Sequence, residues 1–183
     1  MWDYTKGLPE NNGLVKYETG SPVITSVSNG LNISVPSESG NSLQYKYEAI
    51  GYTDLKTRVT EEITFIINTY STDASCGLRV YNGLGGGENA QNCAEVLIAN
   101  NGTQTGIAWL AEASGWSVLS SSVISTNESH TFKLIQVSGS CAVYLDDVLV
   151  GTLTSFREAV GFPSFTVNRG MDITIQSFKL CVE

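Results

Sequence analysis

Residues 129–153 read SHTFKLIQVSGSCAVYLDDVLVGTL, and this stretch decides the fold class of the chain. It contains three runs rich in Val, Ile, Leu, Phe and Tyr, at Thr131–Val137, Cys141–Leu145 and Val148–Leu153. A Ser-Gly-Ser segment separates the first two runs, and Asp146-Asp147 separates the last two. Short runs of this composition that are bounded by Gly, Ser and Asp are typical of β-hairpins. The stretch therefore predicts three antiparallel strands that are joined by two tight turns.

The rest of the chain repeats this pattern at a spacing of about ten residues, with no long helical period. Glu62–Tyr70 is the most strongly β stretch of the first half, and we expect it in the middle of a sheet. Further strands are predicted at Leu14–Tyr17, Leu43–Ala49, Cys76–Tyr81, Cys93–Ala99, Thr105–Ala111, Trp116–Ile124, Phe165–Asn168 and Asp172–Val182. The pattern predicts an all-β, two-sheet antiparallel β-sandwich of the jelly-roll type. We expect one domain over residues 1–183, in which residues 1–22 form a partly irregular lead-in.

Two local signals refine this prediction. Asn29-Gly30 lies between two apolar runs and is a strong hairpin dipeptide. In the last strand, the apolar set changes its spacing between Ile175 and Phe178, which indicates a β-bulge near Gln176-Ser177.

Composition and charge exclude several classes of partner. The chain carries 10 Lys and Arg against 18 Asp and Glu, which gives a net charge of −8. A nucleic-acid-binding surface requires clustered basic residues, and the sequence has no such cluster. The same acidic balance disfavours adsorption to anionic membranes. No apolar run is long enough to span a bilayer, and no signal peptide is visible at the start of the sequence.

The four cysteines allow two interpretations. Cys76, Cys93, Cys141 and Cys181 contain no Cys-x-x-Cys pair, and the single histidine, His130, is distant in sequence from three of them, so a zinc site is not expected. Cys76 and Cys93 flank a predicted hairpin and are the best candidates for a disulfide. The alternative is that the cysteines are buried free thiols.

The sequence offers no clear catalytic constellation. Glu61 and Glu62 are adjacent, so in a strand they would lie on opposite faces. Asp146-Asp147 lie in a predicted turn. A Ser-His-Asp triad could be assembled only around His130, and the sequence has no Gly-x-Ser-x-Gly elbow. We therefore predict that His130 is a surface or packing residue at the start of a strand and that the protein is not an enzyme.

Residues 129–151 resemble the laminin-G-like and concanavalin A-like lectin and glucanase jelly rolls. In those proteins a strand that begins with His or Trp is followed by a strand of the form x-V-Y-x-D and then by V-x-V-G. Tyr144, Asp146 and Gly151 occupy these positions here. Glycosidases of that group carry a Glu-x-Asp-x-x-Glu run, which this chain lacks. The first residues, WDYTKGLPENNG, are more weakly similar to uncharacterised phage structural proteins.

The resemblance implies a carbohydrate site built from aromatic platforms and planar amides or carboxylates. If the sheet curves as in that group, the candidate residues would line one face or rim. Trp109 and Trp116 flank a loop that carries Glu112, and Tyr81 precedes a glycine-rich loop. The full predicted site comprises Tyr81, Asn82, Asn89, Asn101, Trp109, Glu112 and Trp116. The competing interpretation is that each tryptophan packs in the core and that the glycine-rich loop is an ordinary surface loop.

Calcium is the one cofactor that the resemblance brings into consideration. Laminin-G-like domains often bind it near the rim through an aspartate and loop carbonyls. Asp73, Asp146, Asp147 and Asp172 are the candidate ligands. No EF-hand spacing is present, which favours ordinary turn aspartates and no bound metal or cofactor.

Three functional hypotheses follow from the sequence. The first is a non-catalytic, lectin-like module that binds glycans or a cell-surface polymer as an accessory or adhesion domain. The second is a phage tail, fibre or capsid-decoration protein that acts through protein–protein contacts as a homo-oligomer. The third is a glycoside hydrolase with an unrecognised site. The first two imply an extracellular or virion-associated location.

Overall fold

The computed structural model describes residues 1–48, 58–71, 76–81, 93–99, 106–111, 115–120, 124–137, 140–153 and 163–183. In residues 93–99, 106–111 and 115–120, and at Cys76, Gly77, Arg79, Tyr81 and Leu153, the description is of the backbone and its pairing. Within these ranges, no helix is long and apolar enough to cross a membrane.

The described chain is built from fifteen strands and two short 3₁₀ turns, at Tyr4–Lys6 and Pro9–Asn12. In chain order the strands are β1 (Trp2–Asp3), β2 (Val15–Thr19), β3 (Val23–Val27), β4 (Gly30–Ser34), β5 (Ser42–Lys46), β6 (Arg58–Tyr70), β7 (Cys76–Tyr81), β8 (Cys93–Ala99), β9 (Gly106–Ala111), β10 (Gly115–Ser120), β11 (Ser129–Val137), β12 (Ser140–Leu145), β13 (Val148–Leu153), β14 (Ser164–Asn168) and β15 (Met171–Val182).

These strands form two antiparallel sheets. The eight-stranded sheet has the order β13-β12-β11-β6-β15-β4-β3, with β1 paired to β15. The seven-stranded sheet has the order β10-β9-β8-β7-β14-β5-β2. The sequence-based prediction of a two-sheet antiparallel β-sandwich is confirmed. The predicted central position of Glu62–Tyr70 is confirmed as well, because β6 lies between β11 and β15.

Alternating side chains of the two sheets meet in one apolar core. Ile63, Phe65 and Ile67 of β6 have no solvent exposure. Tyr45 of β5 and Phe165 of β14 face them from the seven-stranded sheet, and their rings lie 5.4 Å apart. Trp2 is also buried, and its indole Nε1 donates to the carbonyl of Gly7 at 2.8 Å. Part of the lead-in that the sequence suggested was irregular is therefore anchored in the core.

The hairpin of β12 and β13 forms as predicted. Leu145 pairs with Val148, so the loop contains only Asp146 and Asp147. Their φ angles are 50° and 62°, and two consecutive positive φ values in a two-residue loop define a type I′ turn. The twist of this turn type matches the twist of the paired strands, which explains why an acidic dipeptide that tolerates positive φ is placed here.

A side-chain clamp ties this turn to the segment before β11. The His130 ring is buried beside Phe65, and its Nδ1 lies 2.8 Å from Asp146 Oδ2. The other carboxylate oxygen of Asp146 accepts from the backbone N–H of Thr131 at 2.7 Å. On the far side of the ring, Nε2 lies 3.1 Å from both the hydroxyl and the carbonyl oxygen of Ser125. His130 is buried at the start of β11, which agrees with the packing interpretation. Its ring also lies between Ser125 Oγ and Asp146, in the order of the Ser-His-Asp arrangement that the sequence left formally possible.

Two other local predictions have different outcomes. The bulge in β15 is present, because the pairing with β6 shifts register between Ile175 and Ser177. The first hairpin turns one residue earlier than predicted, since Val27 pairs with Gly30 and the loop is Ser28-Asn29. A Cβ on Gly30 would lie 2.7 Å from the carbonyl oxygen of Ile175. Glycine is therefore required at this position by the close approach of β15, not by the turn.

The clamp predicts that Asp146 contributes more to the free energy of unfolding than Asp147 does. Asp146→Ala removes the bonds to Thr131 and His130 and leaves alanine at positive φ, so we expect a loss of about 2–4 kcal/mol of unfolding free energy. Asp147→Ala has the same backbone conformation but loses only an exposed ion pair with Lys133. We expect it to cost about 1–2 kcal/mol. Urea denaturation of both variants measures the difference, and equal losses would contradict the role given to the clamp.

Candidate functional site

The predicted binding residues fall on the seven-stranded sheet and its connections. Tyr81 ends β7, Trp109 lies in β9 and Trp116 lies in β10. Asn82, Asn89, Asn101 and Glu112 lie outside the described residues. The backbone register of the sheet therefore decides which of the three aromatic residues are brought together.

Tyr81 and Trp116 share one row of directly opposed residues that crosses the whole sheet. From β10 to β2 the row contains Trp116, Leu110, Cys93, Tyr81, Ser164, Lys46 and Val15. We call it the Tyr81–Trp116 row. The two aromatic residues are three strands apart, or about 14 Å at the usual inter-strand spacing.

Trp109 belongs to a different row. It is opposite Ala94, which is opposite Val80, and this row continues through Phe165 to Tyr45. Val80, Phe165 and Tyr45 are all core residues. The register thus places Trp109 among core positions, which favours the packing interpretation for this residue alone.

A second row beside the first is rich in polar residues. It contains Val118, Ala108, Glu95, Arg79, Thr166, Gln44 and Tyr17. Arg79 and Glu95 are directly opposite each other, as are Gln44 and Thr166. Because residues alternate along a strand, this row and the Tyr81–Trp116 row both belong to the face that is turned away from the core.

The described side chains in the middle of this face are polar and buried. Gln44 is 6% exposed, Ser164 is 0% exposed and Thr166 is 6% exposed. Gln44 Nε2 donates to Ser164 Oγ at 3.4 Å, whereas Thr166 Oγ1 has no hydrogen-bond partner. Strand β14 is therefore buried on both of its faces, with aromatic and aliphatic side chains on one and hydroxyls on the other.

An exposed tyrosine that the sequence analysis missed lies at the edge of the same face. Tyr17 of β2 is opposite Gln44 and is 43% exposed. Lys46 Nζ lies 4.1 Å from the centre of its ring, and its hydroxyl donates to Glu48. The hydrogen bond to that carboxylate raises the pKa of the Tyr17 hydroxyl. The signal was available in the alternation of VKYET, but its face could not be assigned without the register.

The aspartates that were considered for calcium are engaged by protein donors. Asp172 Oδ1 accepts from the amides of Asn32 and Asn68, both at 2.8 Å. Asp146 takes part in the clamp, and Asp147 accepts from Lys133 at 2.6 Å. Asp73 lies outside the described residues, among which no group of three His, Cys, Asp or Glu could hold a metal ion.

Glu61 and Glu62 face opposite sides of their sheet, as their adjacency predicted. Glu61 is buried on the core side of β6. Glu62 lies on the other side, where its carboxylate is 2.9 Å from Lys179 and 3.7 Å from Lys133. These two carboxylates therefore cannot converge on one glycosidic bond.

The register excludes the predicted pairing of Cys76 with Cys93. Cys76 is opposite Ala99, and Cys93 is opposite Tyr81. The two cysteines thus lie at opposite ends of the β7–β8 ladder, about 17 Å apart along the strands. A disulfide needs Cα atoms within about 7 Å, so the prediction of this bridge is wrong. It assumed a register that put the two residues directly opposite each other.

The two described free cysteines should differ sharply in reactivity. Cys141 is buried, and this burial, together with the nearby Glu61 carboxylate, raises the pKa of its thiol to about 12. Cys181 is exposed. We expect iodoacetamide at pH 8 to modify Cys181 within minutes and Cys141 only after unfolding, because the thiolate is the reactive form. Peptide mapping by mass spectrometry measures both, and equal labelling rates in the native protein would contradict the burial of Cys141.

Comparisons with known proteins agree on the fold. No protein-family model matches the chain, and no curated protein matches it significantly. Among solved structures, it is similar to the carbohydrate-binding module CBM66 from Bacillus subtilis, with a TM-score of 0.61 and 14% identity over 92% of this chain and 94% of that one. The exoplasmic/lumenal domain of VIP36, in its Ca²⁺/Man-bound form, gives a TM-score of 0.64 at 11% identity over 93% of this chain and 83% of that one.

A third similarity involves only a small part of a much longer protein. A sialidase gives a TM-score of 0.66 at 8% identity, and the match covers 98% of this chain but only 18% of the sialidase. The expected jelly-roll β-sandwich is therefore confirmed as the fold, which this chain shares with a carbohydrate-binding module and a lumenal domain. The weaker resemblance to phage structural proteins finds no support in these comparisons.

Proposed function

We propose that this chain is a non-catalytic, lectin-like module that binds carbohydrate through the outer face of its seven-stranded sheet. The observation that carries the proposal is the Tyr81–Trp116 row, which aligns two aromatic residues three strands apart on one face of the sheet. Directly opposed residues project to the same side of a sheet. Aromatic rings at this separation offer platforms for the apolar faces of two sugar units of one chain.

The residues that flank this row supply the polar part of the proposed site. Asn82 follows Tyr81 directly, and Glu112 belongs to the connection between β9 and β10. Asn89 and Asn101 lie in the neighbouring connections on either side of β8. Amides and carboxylates hydrogen-bond sugar hydroxyls in pairs, which fixes the orientation of a ring stacked on an aromatic residue. Trp109 is assigned to packing.

The structural neighbours support a carbohydrate ligand. One is a carbohydrate-binding module, and the VIP36 domain is in a Ca²⁺/Man-bound form. The carbohydrate recognition domain of Emp47p is also similar, with a TM-score of 0.61 and 14% identity over 93% of this chain and 89% of that one. We propose an accessory or adhesion role for the module outside the cell, with binding and not hydrolysis as its activity.

A glycan array probed with the whole chain tests the proposal, followed by affinity measurements for Tyr81→Ala and Trp116→Ala. We expect each variant to bind about tenfold more weakly, since the loss of an aromatic platform costs on the order of 1.4 kcal/mol. The matched control is Tyr144→Ala, because Tyr144 is a partly exposed aromatic residue of the other sheet. An array without any bound glycan, or unchanged affinity in both variants, would overturn the proposal.

A structural role through protein–protein contacts is the second candidate, and one observation favours it. Consecutive strands β2 and β3 each form one edge of their sheet, and they expose Val15, Val23 and Val27. Unpaired edges with exposed apolar residues are sites where a second chain can pair.

Sedimentation velocity at high protein concentration separates the two candidates. The structural role predicts a homo-oligomer that Val23→Lys disrupts, because a charge on an edge strand opposes pairing. A lectin-like module that does not self-associate should sediment as a monomer, and Val23→Lys should leave its sedimentation coefficient unchanged. A monomer at every concentration would remove the support for the structural role.

A further inference from the structure

Tyr17 lies on an open part of the outer face of the seven-stranded sheet. It is 43% exposed, because β2 is the last strand of that sheet in the part of the chain that the structure describes. Its pairing with Gln44 places it on the side that is turned away from the core. A ligand can therefore reach this ring from solvent without a cavity, which the buried hydroxyls of β14 do not allow.

Two charged side chains flank the ring of Tyr17. Lys46 is opposite Val15 and is therefore the diagonal neighbour of Tyr17 across the β2–β5 pair, and its Nζ lies 4.1 Å from the centre of the ring. The Tyr17 hydroxyl donates to the carboxylate of Glu48, which is exposed. An aromatic ring, an ammonium donor and a carboxylate acceptor are thus held together at one edge of the sheet.

Lys46 differs from the other lysines that the structure describes. Lys6, Lys16, Lys133 and Lys179 each lie 2.6–3.4 Å from a carboxylate oxygen. Among the described residues, no carboxylate forms such an ion pair with Lys46, although the chain carries a net charge of −8. Its N–H groups are therefore available as donors to a ligand.

We propose that Tyr17, Lys46 and Glu48 form a second carbohydrate subsite, which takes one neutral sugar ring at the edge of the binding face. This inference rests on the proposed function. The apolar face of the sugar stacks on the part of the Tyr17 ring that Lys46 leaves exposed. Lys46 Nζ donates to one sugar hydroxyl, and the Glu48 carboxylate accepts from another. Because this carboxylate repels a negatively charged ligand, the subsite selects neutral sugars over uronic acids.

The subsite is separate from the Tyr81–Trp116 row. Val15 ends that row on β2, and Tyr17 lies two residues further along the strand. Tyr17 and Tyr81 are thus three strands apart, which is about 14 Å across the sheet and about 7 Å along the strands. A polysaccharide has many sugar units and can occupy both places, and the second contact then forms at a high effective concentration.

Affinity electrophoresis in native gels tests the subsite, with mannan, laminarin and galactan as neutral probes and polygalacturonate as the acidic one. For a neutral probe that retards the wild type, we expect Tyr17→Ala to weaken binding about fivefold to tenfold, because the stacking platform is lost. Tyr17→Phe keeps the ring and should retain most of the affinity. Lys46→Met and Glu48→Ala each remove one hydrogen-bonding group and should weaken binding about threefold.

The matched control is Tyr4→Ala. Tyr4 is 41% exposed, nearly as much as Tyr17, but it lies in the first 3₁₀ turn, next to β1 of the other sheet. This variant should migrate as the wild type does with every probe. Because Tyr17 is exposed, Tyr17→Ala should also keep its unfolding midpoint within about 2 °C of the wild type, which separates a binding role from a structural one.

The possible results have distinct meanings. Weaker binding by Tyr17→Ala, with retained binding by Tyr17→Phe and Tyr4→Ala, supports the subsite. Unchanged binding by Tyr17→Ala, or a wild type that polygalacturonate retards more strongly than any neutral probe does, overturns the subsite and leaves the Tyr81–Trp116 row untouched. A wild type that binds none of the four probes and no glycan on the array overturns the proposed function and the subsite together.

Discussion

The pairing of β6 with β15 is the constraint on which the rest of the sandwich depends. Each strand has more than ten residues and lies inside the eight-stranded sheet. The bulge between Ile175 and Ser177 allows residues of both parities on β15 to reach the core, because it shifts the alternation by one position. Without it, Ile175 and Phe178 would point to opposite faces. Phe178 instead packs against Phe165 and Tyr47, with distances between ring centroids of 5.2 Å and 5.7 Å, and these contacts join the two sheets.

The sequence predicted those elements whose cause is local. The Asp146-Asp147 turn, the bulge near Gln176 and the central position of β6 each follow from a few neighbouring residues. The sequence did not predict features that depend on contacts with residues far away in the chain. Gly30 was assigned to a turn, but its lack of a side chain is required by Ile175 on a neighbouring strand. Trp2 lies in a polar segment whose sequence gives no indication that its indole reaches the core.

Register is the common reason why the functional residues could not be resolved from the sequence. A shift of one residue moves a whole strand's side chains to the opposite face. Tyr81, Trp109 and Trp116 look equivalent as aromatic residues in β-rich runs. Only the register of the four neighbouring strands β7, β8, β9 and β10 shows that Trp109 lies on a different face from the other two. The same ladder places Cys76 and Cys93 at its two ends, where spacing in the sequence suggested that they were opposite.

The two faces of β14 affect the stability of the fold in opposite directions. On the core side, Phe165 and Val167 gain free energy by leaving water, and this gain does not depend on direction. On the other side, Thr166 Oγ1 is also buried but has no hydrogen-bond partner, so its burial opposes folding. The apolar side can offset that cost because Tyr45 and Phe178 pack directly against Phe165. A sandwich with a strong core can therefore retain a buried hydroxyl that no hydrogen bond satisfies.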